Sequence, residues 1–260
     1  MVTPRGTTVG SVGEFPTISR ITAGLPMGPA VAVGPGDDGA VFLLNGSAVA
    51  STDMQVESVH FRRDWVTAEN LGRRVVASAA ADIEAMGASQ GFVLVAVSLP
   101  SETPAAWVDD LARGIRTECE LAGASWVGGD LARGPQVTVT VTVVGELRGR
   151  TPVLRSGANP GEVVAYRGRL GWSAAGLTVL SRGFRSPRAL VEAYQYPRVG
   201  YGTGAEAQEA GATAMADVSD GLVADLGHIA AASEVLIDID TARFDVPEPL
   251  RAVAAATGAD

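Results

Sequence analysis

The chain's apolar positions follow two periods, and the changes between them mark its elements. The first 35 residues are rich in Gly and Pro and are expected to be largely mobile, apart from a short helix over Glu14–Ala23. Val31–Val33 reads as a strand entering the turn Gly34-Pro35-Gly36-Asp37-Asp38-Gly39. Ala40–Leu44 and Ala48–Thr52 read as strands joined by the hairpin signal Asn45-Gly46. Thr67 can cap a helix to about Met86, closed by Gly87. A buried strand over Phe92–Leu99 follows, then a helix opened by Pro104 that runs to about Leu121, with Gly123 beyond it. Trp126-Val127 is a short strand into Gly128-Gly129-Asp130, and Gln136–Gly145 alternates as a strand.

A stretch rich in Arg, Gly and Pro, Arg148–Pro160, marks a boundary and divides the chain into domains at 1–147 and 148–260. Beyond it, strands are predicted over Glu162–Tyr166, Thr213–Val218 and Val235–Ile239. Helices are predicted over Ala174–Ser181, Pro187–Ala193, Ala205–Ala210, Asp220–Ala232 and Glu248–Ala256. Both halves mix helix and strand, which suggests two α+β domains; no short-period repeat is visible.

Composition narrows the chemistry. Hydrophobic residues are 47% and charged residues 19% of 260, the profile of a globular chain. The longest uncharged apolar stretch, Gly91–Pro100, is half the ~20 residues a membrane helix needs. Met1–Gly6 has no signal-peptide core, and the lone Cys119 allows no internal disulfide, so a cytoplasmic location is expected. A net charge of −9 argues against nucleic acid as a partner. All 20 basic residues are arginine, which excludes P-loop, protein-kinase and Schiff-base lysines. Two histidines and one cysteine cannot supply a typical zinc site, and no G-x-S-x-G context supports a serine triad. Carboxylates and arginines remain, the groups that suit hard cations and phosphates.

Five acidic spots stand out: Asp37-Asp38, Ser51-Thr52-Asp53, Asp82, Gly129-Asp130 and Asp217-Val218-Ser219-Asp220-Gly221. Singly, most read as turns or caps. Asp82 differs, because a lone carboxylate within the apolar run Val75–Ala88 is costly unless it is paired or metal-bound. Asp217 and Ser219 share one side of an extended segment, and Asp220 opens a helix. If these carboxylates converge, their repulsion calls for cations, and magnesium takes carboxylate and phosphate oxygens. Arg155 can hold a phosphate bidentately or be a surface loop residue. His60 between apolar neighbours reads first as a strand residue; His228 and Cys119 read as structural.

The ordered set of motifs resembles the thiamine-monophosphate kinase family. It comprises Gly34-x-Gly36-Asp37-Asp38, Ser51-Thr52-Asp53-Met54-x-Val56-Glu57-x-x-His60-Phe61 and Asp82-x-x-Ala85-Met86-Gly87. Gly128-Gly129-Asp130, Arg155-Ser156-Gly157-Ala158, Gly171-x-Ser173-Ala174-Ala175-Gly176 and Asp217-x-Ser219-Asp220-Gly221-Leu222-x-x-Asp225 complete it. The resemblance implies the two-domain α+β fold of the aminoimidazole-ribonucleotide synthetase superfamily, with an N-terminal mixed sheet and dimerisation through its strands. It implies transfer of the ATP γ-phosphoryl group to thiamine monophosphate. Asp38, Ser51, Thr52, Asp53, Asp82, Asp130, Asp217 and Asp220 would hold several Mg2+ ions, with Asp53, Asp130 and Asp220 central to catalysis. Gly129, Asp130, Arg155 and Ser219 would touch ATP, and His60 the thiamine substrate.

The chain departs from the pattern in places. Ala79 stands where Asn is usual, Ala81 where Ser is frequent, Ser58 where Gly is common and Glu84 where a small residue is usual. Glu84 is expected either to perturb metal binding near Asp82 or to add a ligand. The family's Gly-Gly-Glu-Asp motif and a later aromatic residue lie beyond a point like Asp260, which implies a truncated chain or fragment. Two other readings stand beside the kinase: a sibling ATP-dependent enzyme, and a silent Mg2+-nucleotide binder. Among siblings, selenophosphate synthesis is disfavoured because Cys119 lies mid-helix.

Overall fold

A computed structural model describes residues 6–258; the Met1–Arg5 stretch, read above for a signal peptide, lies outside them. The first half is built on a four-stranded sheet. Its strands are β3 (Ala48–Val56), β4 (Ser89–Leu99), β5 (Ser125–Arg133) and β6 (Thr138–Glu146), and a small antiparallel pair, β1 (Val31–Val33) and β2 (Val41–Phe42), stands apart. The order in the large sheet is β3-β6-β4-β5, with only β4 and β5 parallel.

Two helices, α3 (Ala68–Ala85) and α4 (Ala105–Ala122), cover one face of this sheet. Thr67 caps α3 by accepting the Asn70 N–H at its side chain, and Gly123, in the left-handed conformation, ends α4. The alternation of β6 explains the layering: Val139, Val141 and Val143 are fully buried, while Thr138, Thr140 and Thr142 between them face outward. Leu71, Val75, Val76 and Ile83 of α3 and Val108, Leu111 and Ile115 of α4 complete the core. The helices approach closely at two glycines. A Cβ on Gly72 would lie 2.2 Å from the Leu111 carbonyl, and one on Gly114 1.9 Å from the Glu69 carbonyl.

The opposite sheet face is open along Ala50, Thr52, Met54, Ala96 and Asp130, with Phe42 of β2 stacked on Phe92 at one end. The N-terminal arm is packed, against the expectation of mobility. Helix α1 (Val9–Val12), absent from the sequence expectations, donates to the Thr103 and Ser101 carbonyls. Helix α2 (Glu14–Thr22) is tied to α4 by Arg20–Asp109 and by the Arg116 bond to the Ile21 carbonyl.

The second half is helical: α5 (Trp172–Ser181), α6 (Arg188–Gln195), α7 (Thr203–Glu209), α8 (Leu222–Ser233) and α9 (Glu248–Thr257). The three predicted strands do not form ladders; the segment near Thr213 contributes one bridge, Leu154 to Ala214. Val163 and Leu236 are 91% and 94% exposed, so the β-branched patterning there finds neither a hydrogen-bonding neighbour nor a covering layer among the described residues. The Asn45-Gly46 hairpin is likewise replaced. β2 pairs with β1 and β3 with β6, and the Asn45 turn instead accepts the Arg148 N–H. None of the described helices is long and apolar enough to cross a membrane.

Candidate active site

Strand β3 sorts the first acidic motif by its period of two. Ser51, Asp53 and the buried Gln55 point to the α3 side, whereas Thr52 and Met54 point to the open face. Ser51 Oγ donates to Asp82 Oδ2 at 2.5 Å, so the carboxylate inside the apolar helix is satisfied from the neighbouring strand. Asp53 accepts the Met54 N–H at 2.7 Å and the Gln55 amide at 3.4 Å. Thr52 donates to the Val141 carbonyl and shares a bond with Thr142.

From the second half, Asp217 comes within electrostatic reach of Asp82. Burial pushes the Asp217 carboxyl above its usual range; Asp82 and then Asp225 push the same way, and Arg155 opposes them. The Leu154–Ala214 bridge brings Arg155 and Asp217 together. A Cβ on the neighbouring Gly157 would lie 1.8 Å from the Thr213 carbonyl, so only glycine permits this approach.

Asp225, a motif residue with no role predicted from sequence, organises the last motif. It is 6% exposed and accepts the N–H groups of Ser219, Asp220 and Gly221 at 3.0, 3.1 and 3.1 Å. The loop is thereby folded around one carboxylate. Helix α8 begins at Leu222 rather than at Asp220, and these N–H groups are already engaged instead of being open to an anion. Ser219 and Asp220 are exposed, while Asp217 is half-buried, in a segment that forms no strand.

Other predicted residues lie apart. Asp130 is exposed on β5, beside Ala96 in register, on the open face that Thr52 shares. β3 and β5 are opposite edges of the sheet, so Asp53 and Asp130 stand three inter-strand spacings apart, roughly 14 Å. Gly129 has φ 156°, and a Cβ there would meet the Val95 carbonyl at 1.8 Å; the unpaired Val127 forms a bulge that re-aims the residues after it. The Asp38 side chain makes no hydrogen bond or ion pair among the described residues. Among the described residues, no three carboxylate, His or Cys groups converge on a single metal position.

His60 is exposed in the turn after β3. Its Nδ1 accepts the Val56 N–H at 3.0 Å, so the neutral ring carries its proton on Nε2 and offers that N–H outward. Its carbonyl accepts from Arg74 and Tyr194, both at 3.4 Å. Ser58, in the same turn, holds φ 66°, the left-handed region that glycine occupies without strain. Ala79 is fully buried in the core. The Cys119 thiol is buried and pushed up to about 12, which leaves it protonated and inert.

Residues 36–147 match the family model described as AIR synthase related protein, N-terminal domain. The thiamine-monophosphate kinase of Mycobacterium tuberculosis (strain ATCC 25618 / H37Rv) is 46% identical over 255 residues, 97% of this chain and 77% of that protein. The chain belongs to the thiamine-monophosphate kinase family. It is therefore a phosphotransferase, with the α+β fold of aminoimidazole-ribonucleotide synthetase relatives. The family's Corynebacterium glutamicum member is 41% identical over 266 residues, 98% of this chain and 78% of that protein. Among solved structures, AaThiL complexed with AMPPCP and TMP superposes with a TM-score of 0.78 at 28% identity, covering 99% of this chain and 82% of that one.

Proposed function

We propose that this chain phosphorylates thiamine monophosphate to thiamine diphosphate with ATP as donor. The observation that carries the reading is that Asp82 and Asp217, one from each half, lie within electrostatic reach of each other, with Ser51 bonded to Asp82 and Arg155 acting on Asp217, in a chain this similar to thiamine-monophosphate kinases. A solved structure of a relative complexed with AMPPCP and TMP supports the choice of ligands. In the reaction, a phosphate oxygen of thiamine monophosphate bonds to the γ-phosphorus while the bond to the ADP oxygen breaks in line, its electron pair leaving with ADP. The acceptor is already ionised, so the chemistry asks for positioning and charge neutralisation rather than a strong base.

Magnesium fits the donor set. Asp82, Asp217 and Ser51 offer hard oxygen ligands in a place where two carboxylates repel, and Mg2+ needs only one or two protein carboxylates besides water and phosphate. Asp38, Ser51, Thr52, Asp53, Asp82, Asp130, Asp217 and Asp220 are the residues that would hold several such ions, which supply neutralisation of the phosphate oxygens when bound. Gly129, Asp130, Arg155 and Ser219 contact ATP in this reading, with Arg155 as the fixed cation. The outward Nε2–H of His60 donates to the thiamine substrate. Because Thr52 and Asp130 lie across the sheet from Ser51 and Asp53, the ligands fall into two groups on one chain. A homodimer formed through the open sheet face would bring a second copy of Thr52 and Asp130 against the first. A cytoplasmic location accords with the substrates.

The test is to incubate the protein with Mg2+, ATP and thiamine monophosphate and to assay thiamine diphosphate by chromatography. Product that requires all three components is expected. Asp130→Asn and Asp220→Asn should each abolish it with unchanged circular dichroism. No product from the unaltered protein overturns the function, and wild-type-like rates in either variant overturn the metal ligation.

A further inference from the structure

Glu84 is a buried carboxylate that the proposed chemistry does not use. It lies two residues beyond Asp82 on α3 and is 7% exposed, and no cation pairs with it among the described residues. Its charge is met by N–H donors. Oε1 accepts the Gly202 N–H at 2.8 Å and the Gln90 amide at 3.0 Å, while Oε2 accepts the Gly204 N–H at 2.7 Å. Both carboxylate oxygens are thus engaged by N–H donors of the chain itself.

These bonds fasten the start of α7 to the last turn of α3. The contact is at backbone distance, since a Cβ on Gly204 would lie 1.8 Å from the Glu84 carbonyl. A second buried carboxylate holds the same turn. Glu118 of α4, 2% exposed and paired with Arg73 at 2.9 Å, accepts from Tyr201 at 2.8 Å. From α7 the chain runs only eight residues, Glu209 to Asp217, before it comes within electrostatic reach of Asp82. Asp82 and the anchor of the Asp217 segment therefore sit two residues apart on one rigid helix.

We propose that Glu84 is a positioning residue, which fixes α7 on α3 and thereby sets the place of the segment that carries Asp217. The catalytic consequence rests on the reading that Asp82 and Asp217 share a cation. Charge-assisted bonds from a carboxylate to backbone N–H groups are short and directional, so they set position as well as adding stability. Replacement by Gln turns one acceptor oxygen into an amino group facing a backbone N–H, which releases the anchor with little change of volume.

Two measurements test this. The first needs no metal: nitroxide labels at Glu120→Cys and Thr213→Cys, both exposed, report the distance between α4 and the Asp217 segment by pulsed electron resonance. Buried Cys119 is left in place. A single narrow distribution is expected, broadened or shifted by Glu84→Gln; an unchanged distribution overturns the proposal. The second is Mn2+ titration followed by electron paramagnetic resonance, well below the melting temperature of every variant. Glu84→Gln should weaken Mn2+ binding at least tenfold, whereas a purely stabilising residue would lower the melting temperature and leave affinity alone. Failure of the unaltered protein to bind Mn2+ would count against the shared cation, and the distance measurement would still judge the anchor. If Glu84→Gln does not fold, Gln90→Leu, which removes one donor and keeps the carboxylate, is judged by the same broadening.

Discussion

Asp217 illustrates how a single residue sets stability against function. Its carboxyl is raised above the ordinary value of 3.8 by burial, by Asp82 and by Asp225. The folded state thus holds the Asp217 proton more tightly than the unfolded chain does. Without metal, the contribution of this residue to stability falls as pH rises from 3.8 through its raised folded value and stays low above it. Asp217→Asn removes that cost. The variant should melt above the unaltered protein in metal-free buffer at pH 7, with the gap closing as pH approaches 4, and it should form no thiamine diphosphate. Calorimetric melts at several pH values check the sign, and a variant that melts lower at neutral pH would contradict it. At this scale the sequence showed which residues were chemically costly, Asp82 above all. It did not show Asp225 as the hub of a loop, because three N–H groups turning back on one carboxylate is a property of the backbone path.

Among the elements, the pair α3 and α4 depends on close approach at Gly72 and Gly114. Gly114→Ala would drive a methyl group against the Glu69 carbonyl, where a Cβ would sit at 1.9 Å, and backbone cannot yield as a flexible side chain would. A loss of about 3 kcal/mol is expected, in the range of an overpacked core, read as a lower denaturation midpoint at unchanged slope. Helix ends were legible beforehand because caps are local: Thr67 and Gly123 act where their residue types suggest. Strands in the second half were not, because a strand exists only when another segment pairs with it. Val163, Val164 and Leu236 carry strand-like side chains on exposed backbone that joins no ladder.

For the molecule as a whole, the open sheet face is the feature that an isolated chain leaves unexplained. Thr140 lies at its middle, flanked in register by Met54 and Ala96. If two copies associate through this face, Thr140→Glu places like charges together at the interface while remaining at a water-accessible position in the monomer. Sedimentation should show a dimer for the unaltered protein and a monomer for Thr140→Glu; a monomer in both cases would refute dimerisation.

The sequence alone determined the kind of chemistry this protein can perform. With no lysine, two histidines and many aspartates, phosphate handling falls to carboxylate-bound cations and to arginine. The period of two in β6 and the ends of α3 and α4 were likewise legible as a strand and two helices, since both signals act over a few residues. Tertiary structure decided the rest. It inserted β6 between β3 and β4, put Asp130 of β5 on the sheet face that Thr52 of β3 shares, and brought Asp217 within electrostatic reach of Asp82. It also engaged both oxygens of Glu84 in holding α7, where the residue type alone was equally compatible with a metal ligand. Each of these outcomes joins groups far apart in the chain, and their meeting depends on the packing of whole elements rather than on any local preference.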